Sequence, residues 1–270
     1  MQLHSKMRPS IIKKKLKAGK PTLLTQLHLT DASIFEMVSV MGFDGIWMDL
    51  EHHGYSLETA GNLIRATRVG STDILARAAK GEFMRIGRLL EMGAQGIMYP
   101  RCTDASEAEE VVRWTKFAPL GERGFDGAGA DAFYTGIPMD EYIRDANEET
   151  FVVIQLEEPK AVEHAEAIAA VEGVDAIMLG PADFSVLSGI PGQFDHPSIE
   201  KSLNKIAQAA ANTGKHWACT AADANRAKEL LQRGAGMVLH NADICIIKKG
   251  LETMRDDFSK LGFQFQDYSI

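Results

Sequence analysis

The chain has 270 residues, 45% hydrophobic and 24% charged, enough to bury one large core and within the size range of a single α/β barrel. Its formal net charge of −8, with acids and bases interspersed, excludes the clustered Lys and Arg that a nucleic acid or an anionic membrane would require, and points to a small-molecule partner. Cys102, Cys219 and Cys245 are widely spaced and form no CxxC pair, which argues against a disulfide framework or a thiolate zinc site and for a reducing cytoplasm.

In chain order, the basic start MQLHSKMRPSIIKKKLKAGK has no apolar core of the signal-peptide kind, and nothing approaches the roughly 18 consecutive apolar residues of a membrane span. Lys13-Lys14-Lys15 reads as the solvated face of a first helix closing at Gly19. Short apolar runs then alternate with amphipathic stretches. The predicted strands are 21–27, 43–49, 72–77, 93–100, 150–156, 174–180, 215–220 and 235–240. Between them SLETAGNLIRATR, EFMRIGRLLEMG, DASEAEEVVRWTKF, KAVEHAEAIAAVEG and DANRAKELLQRG carry apolar residues at three- and four-residue spacing, several with an Asp or Ser start and a Gly stop. Eight such units predict one α/β domain over 1–270, a (β/α)₈ TIM barrel with an N-terminal helix and a C-terminal helical extension; a doubly wound open sheet would alternate in the same way. The glycine-rich 119–136 breaks the rhythm and reads as a long loop, functional or disordered.

In parallel α/β sheets the chemistry gathers at the carboxyl ends of strands. The strand ends here supply Gln26 and His28; Asp49, Glu51, His52 and His53; Arg77; Tyr99 and Arg101; Gln155, Glu157 and Glu158; Gly180-Pro181-Ala182-Asp183; and His240 with Asn241. Glu157 and Asp183 follow adjacent strands and suit a hard divalent cation, Mg²⁺, Mn²⁺ or Co²⁺; equally, each could cap the helix that follows it. Arg77 could face a substrate anion or serve as structural partner to Asp49 or Glu51. On chemistry alone His52 and His53 are equivalent candidates for a general base.

Several segments in order, GFDGIWMDLEH (42–52), ARAA (76–79), RLLEMGAQGIMYP (88–100), PLGERG (119–124), QLE (155–157) and VEGVDAIMLGPADFS (171–185), resemble motifs of the HpcH/HpaI family of class II pyruvate aldolases over roughly residues 8 to 260. The resemblance implies a metal-dependent carbon–carbon lyase, an aldehyde-lyase that splits a 4-hydroxy-2-oxo acid into pyruvate or hydroxypyruvate and an aldehyde. It places metal ligands at Glu157 and Asp183, a metal-site glutamine at Gln155, and a carboxylate-holding amide at Ala182 within Gly180–Asp183. The base falls at His52 and the transition-state arginine at Arg77. The acid that polarises the histidine falls at Glu91, where the family usually has Asp, with Asp49 as the substitute. The resemblance further implies a homo-oligomer, typically a hexamer, exchanging C-terminal helices, and marks 119–136 as the region most able to change the substrate. Alternatives are a CoA-thioester lyase of the citryl- or malyl-CoA type, which would need a basic surface for the nucleotide, a Schiff-base aldolase using Lys80, and a non-catalytic metal-binding barrel.

Overall fold

The computed structural model describes residues 6–266; positions 1–5 and 267–270 of the expected single domain lie outside the described residues. The chain opens with α1 (Ile11–Lys17), β1 (Thr22–Leu27), α2 (Ala32–Val40), β2 (Gly45–Asp49) and α3 (Leu57–Ala66). It continues through β3 (Asp73–Arg77), α4 (Phe83–Glu91), β4 (Gly96–Tyr99), α5 (Ala105–Thr115) and α6 (Met139–Glu149). Next come β5 (Phe151–Leu156), α7 (Pro159–Glu163), α8 (Ala165–Ala170), β6 (Ala176–Leu179), α9 (Pro181–Leu187) and α10 (Pro197–Thr213). The last elements are β7 (His216–Ala221), α11 (Ala224–Gln232), β8 (Met237–Ala242) and α12 (Asp243–Ser259). The eight strands pair in sequence order, all parallel, and β8 closes on β1, so the barrel is closed and the open-sheet alternative is excluded.

The strands read as unbroken apolar runs because both faces are covered. Alternate side chains face opposite ways. Ile46, Ile74, Val152 and Ile177 pack outward under the helices, while Leu24, Trp47, Leu75, Val153 and Met178 fill the interior together with Ile12 and Leu16 of α1. Continuing the same alternation by two residues puts Gln26, Asp49, Arg77, Gln155 and Gly180 inward at the carboxyl end, one polar layer above an apolar plug. Asp49 and Arg77 are direct cross-strand partners in the β2–β3 register.

Helix α1 seals the amino end. A Cβ on Gly45 would lie 2.8 Å from both Ile12 and Leu24, so only glycine lets this helix press into the barrel floor. Lys13 and Lys15, expected to be solvated, instead pair with Asp175 and Asp44 beneath the strands. The predicted helix starts hold: Ser56, Asp104 and Asp223 each accept the amide of the third residue beyond them, capping α3, α5 and α11. The long loop forms as expected but lies at the amino end, where Ala130 donates its amide to the Glu91 carbonyl and Arg68 donates to the Ala130 carbonyl. It is therefore no wall of the mouth of its own barrel.

Candidate active site

A cavity of about 820 Å³ opens at the carboxyl end of the strands. It gathers Gln26, Asp49, His52, Arg77, Gln155 and Glu157 with the turn Gly180–Asp183, and Trp47 and Met178 at its floor. The strand-end residues Glu158, Tyr99, Arg101, His240 and Asn241 do not line it. Lys80, the Schiff-base candidate, is also outside, held by the Arg101 carbonyl at 2.6 Å and the Glu107 carboxylate at 2.9 Å.

Arg77 is the hub. Its Nε donates to Asp49 Oδ1 at 2.9 Å, its Nη2 to Asp49 Oδ2 at 2.7 Å and its Nη1 to Gln155 Oε1 at 3.2 Å, while the guanidinium stacks 4.6 Å over the Trp47 ring. Arg77 is thus Asp49's structural partner, and it also borders the cavity. A guanidinium has five N–H donors, so one N–H on each terminal nitrogen stays free for a ligand. Burial alone would raise the Asp49 carboxyl, but the bidentate Arg77 contact outweighs it and holds the group below the usual carboxylate range. Glu51 sits 3.4 Å from Arg77 Nε and 2.7 Å from Arg101 Nη2.

The two histidines have different surroundings. The His52 ring is 55% exposed, with Nε2 3.7 Å from Glu51. His53 is drawn inward, its ring stacked on His28 at 4.1 Å with Nε2 3.8 Å from Asp49. Burial, with the neighbouring His53, lowers the His28 pKa below its usual value. Neither expected polarising acid touches the His52 ring. Asp49 lies only near its main-chain amide, at 3.5 Å. Glu91 ends α4 five residues before β4 begins, at the amino end of the barrel, where burial raises its carboxyl and Arg123 and Asp131 are its charged neighbours. The helix runs back from the mouth, so within one chain Glu51, not Glu91, is the acid beside the ring.

Glu157 is 2% exposed. Its Oε2 accepts the Arg101 amide at 2.7 Å, and its Oε1 lies over the backbone of Gly180, where an added Cβ would come within 2.3 Å. Burial pushes the carboxyl up to about 7, the Asp183 charge adds to this, and the Arg101 amide and Arg77 charge only partly oppose it. Neither acid is a cap. Glu157 precedes the N-cap position of α7, taken by Glu158, and Asp183 lies inside the first turn of α9, so the capping alternative falls. Among the described residues no cluster of three or more His, Cys, Asp and Glu side chains could hold a metal ion. A divalent ion would rest on the oxygens of Glu157 and Asp183, completed by ligand or water. A buried, under-neutralised carboxylate facing a second carboxylate fits such a hard ion.

A parallel barrel whose mouth gathers an arginine, a histidine and paired acids around one cavity defines a TIM-barrel enzyme. The chain belongs to the HpcH/HpaI aldolase/citrate lyase family, whose model matches residues 24–245, and with it to the carbon–carbon lyases. It is 30% identical over 244 residues to a 4-hydroxy-2-oxo-heptane-1,7-dioate aldolase of Escherichia coli, covering 90% of this chain and 92% of that one. It is 31% identical over 215 residues to a hydroxypyruvate/pyruvate aldolase of Delftia acidovorans, covering 79% of each. The crystal structure of an HpcH/HpaI aldolase from Desulfitobacterium hafniense superposes with a TM-score of 0.85 at 32% identity, covering 96% of this chain and 98% of that one. A citrate synthase structure does so with 0.85 at 25% identity, covering 93% and 98%.

Three features had no place in the sequence reading: Trp47 beneath Arg77, the Glu51–Arg101 ion pair, and the Arg101 amide on Glu157. Alternation along β2 identifies Trp47 as inward-facing. The other two join residues 50 and 56 positions apart and leave no local signal.

Proposed function

We propose that this enzyme cleaves a 4-hydroxy-2-oxo acid to pyruvate, or hydroxypyruvate, and an aldehyde, with a divalent cation (Mg²⁺, Mn²⁺ or Co²⁺) held by Glu157 and Asp183. The observation that carries the reading is the convergence of the Arg77 fork, the Gln155 amide and the Glu157 and Asp183 carboxylates on one cavity. When bound, the cation supplies Lewis-acid polarisation of the 2-oxo group.

The protein's own groups do the rest. The substrate carboxylate lies along Gly180-Pro181-Ala182, where Ala182 is the second residue of α9 and first-turn amides have no partner inside the helix. His52 takes the proton from the C4 hydroxyl. The C3–C4 bond then breaks, its electron pair forming the enolate whose C2 oxygen carries the charge, and the aldehyde leaves. The free N–H groups of Arg77 face that developing charge, kept in position by Asp49, Gln155 and the Trp47 ring. Protonation at C3 releases pyruvate.

A CoA-thioester lyase would need cations for the nucleotide phosphates. On the far side of the cavity Arg226 already pairs with Glu200 and Glu229, and Asp195 and Asp223 make that rim acidic. The same family membership supports a homo-oligomer, hexameric by resemblance. In this chain α12 buries only Asp243 and leaves Ile247, Leu251, Met254 and Phe258 exposed along one face, suited to cover another subunit. No described helix is long and apolar enough to cross a membrane, and the three free thiols suit a reducing cytoplasm.

The test is pyruvate release from 4-hydroxy-2-oxo acids of several chain lengths, with Mn²⁺ or Mg²⁺ and with a chelator. Metal-dependent release supports the reading; none from any substrate would return the chain to the non-catalytic barrel. Light scattering of the purified chain tests the assembly.

A further inference from the structure

Arg101 follows β4 with a backbone φ of +48°, in the left-handed region where a residue with a Cβ is disfavoured and glycine or asparagine fits best. Three contacts fix it there. Its amide donates to Glu157 Oε2 at 2.7 Å, its carbonyl accepts from Lys80 Nζ at 2.6 Å, and its Nη2 donates to Glu51 Oε1 at 2.7 Å. Lys80 is in turn held by Glu107, which also accepts the Tyr99 hydroxyl at 2.9 Å. A disfavoured conformation fastened on every side, next to a reactive cavity, points to a positional task.

The task is legible in the two oxygens of Glu157. Oε2 is taken by the Arg101 amide, and Oε1 lies against Gly180, the residue that leads into Pro181–Asp183. Rotating the Arg101 peptide to an ordinary φ would turn its N–H away from Oε2 and release the carboxylate to a second orientation.

We propose that Arg101 is a positioning residue: its left-handed backbone aims its amide at one oxygen of Glu157 so that the other faces Asp183 and the cation, while its side chain fastens Glu51 beside Arg77 and His52. The inference rests on the reading of Glu157 as a cation ligand. It implies that cation affinity follows the backbone preference of residue 101 rather than its charge.

The test compares Arg101→Gly, Arg101→Asn, Arg101→Ala and Arg101→Val, all of which lack the guanidinium, by Mn²⁺ binding measured from the electron paramagnetic resonance of the free ion, with thermal melts alongside. Gly and Asn tolerate the left-handed conformation; Val resists it most, and Ala is the milder variant should Val fold poorly. Gly and Asn should hold the Mn²⁺ Kd within about threefold of the parent, while Val weakens it about tenfold or more and Ala falls between, the size of effect seen when an orienting partner of a metal ligand is lost. Gly and Asn binding as weakly as Val, or Val binding as tightly as Gly, overturns the proposal. Glu157→Gln is the reference: if it binds Mn²⁺ like the parent, the ligand assignment itself fails, whereas loss there with no Gly–Val difference removes only the role of Arg101.

Discussion

The two ends of the barrel both bury ionisable groups, and they use them differently. At the amino end Asp73 is fully buried, and burial pushes its carboxyl up to about 7. Its Oδ2 accepts the Ile12 amide at 2.9 Å and the Ser10 hydroxyl, fastening α1 against β3. Lys116 is pushed down to about 7 by burial and donates to the carbonyls of Asn147 and Thr150 and to the Thr150 hydroxyl. Neither residue lines the cavity at the mouth. At the carboxyl end Glu157 is pushed to about 7 as well, but it borders some 820 Å³ of open space and faces a second carboxylate. A displaced pKa therefore does not distinguish a fastener from a reactive group; the space in front of it does.

That contrast can be attacked from either end. Replacing Arg77 by Ala should have the largest effect, because it removes the cation facing the enolate and leaves Asp49 buried without its partner. Turnover should fall about a thousandfold, and unfolding free energy by about 3–5 kcal/mol. Pyruvate release and denaturant melts measure the two losses, and unchanged stability would contradict the buried pairing. His52→Ala should lower turnover about a hundredfold. Because its ring is 55% exposed, stability and Mn²⁺ affinity should be unaltered, and a large drop in melting temperature would assign it a structural task instead.

Gly180→Ala places a methyl 2.3 Å from Glu157 Oε1, so the carboxylate must move. Mn²⁺ affinity should weaken about tenfold while the circular dichroism spectrum holds; parent-like binding would show that the orientation of Glu157 is unimportant. The smallest effect on turnover belongs to the amino end. Folding raises the Asp73 carboxyl from 3.8 to about 7, so the native state holds a proton that the unfolded chain has released, and stability falls as pH rises between these values. The steepest slope for one group is about 1.4 kcal/mol per pH unit. Asp73→Asn should flatten that dependence and leave turnover unchanged, and an unaltered pH profile of melting would contradict the assignment.

Much of this was legible in the chain. Parallel strands covered on both sides advertise themselves as apolar runs, and each of the eight fell within a few residues of its prediction. Period-two alternation carried Asp49, Arg77 and Gln155 to the same inward layer. Helices α2, α6 and α10 went unassigned; α6, MDEYIRDANEE, buries only Tyr142, Asp145 and Ala146 and so carries little apolar contrast. Two expected features lie away from the mouth of their own barrel for one reason. Glu91 ends α4 and the 119–136 loop follows α5, helices that run back from the mouth, and in a βα repeat the end of such a helix and whatever follows it lie at the amino end. A motif match transfers position along the chain, not proximity within one barrel, and chain direction carries the latter. The Arg101 contacts were illegible for another reason: neither glycine nor asparagine marks its left-handed backbone.

The most direct measurement is anomalous scattering from crystals grown with Mn²⁺ and pyruvate. The account predicts one strong peak per chain between Glu157 Oε1 and the Asp183 carboxylate, within about 2.0–2.3 Å of an oxygen from each, with pyruvate reaching toward Arg77. A peak elsewhere, or pyruvate bound in the mouth with those two carboxylates turned away from any metal, would contradict it.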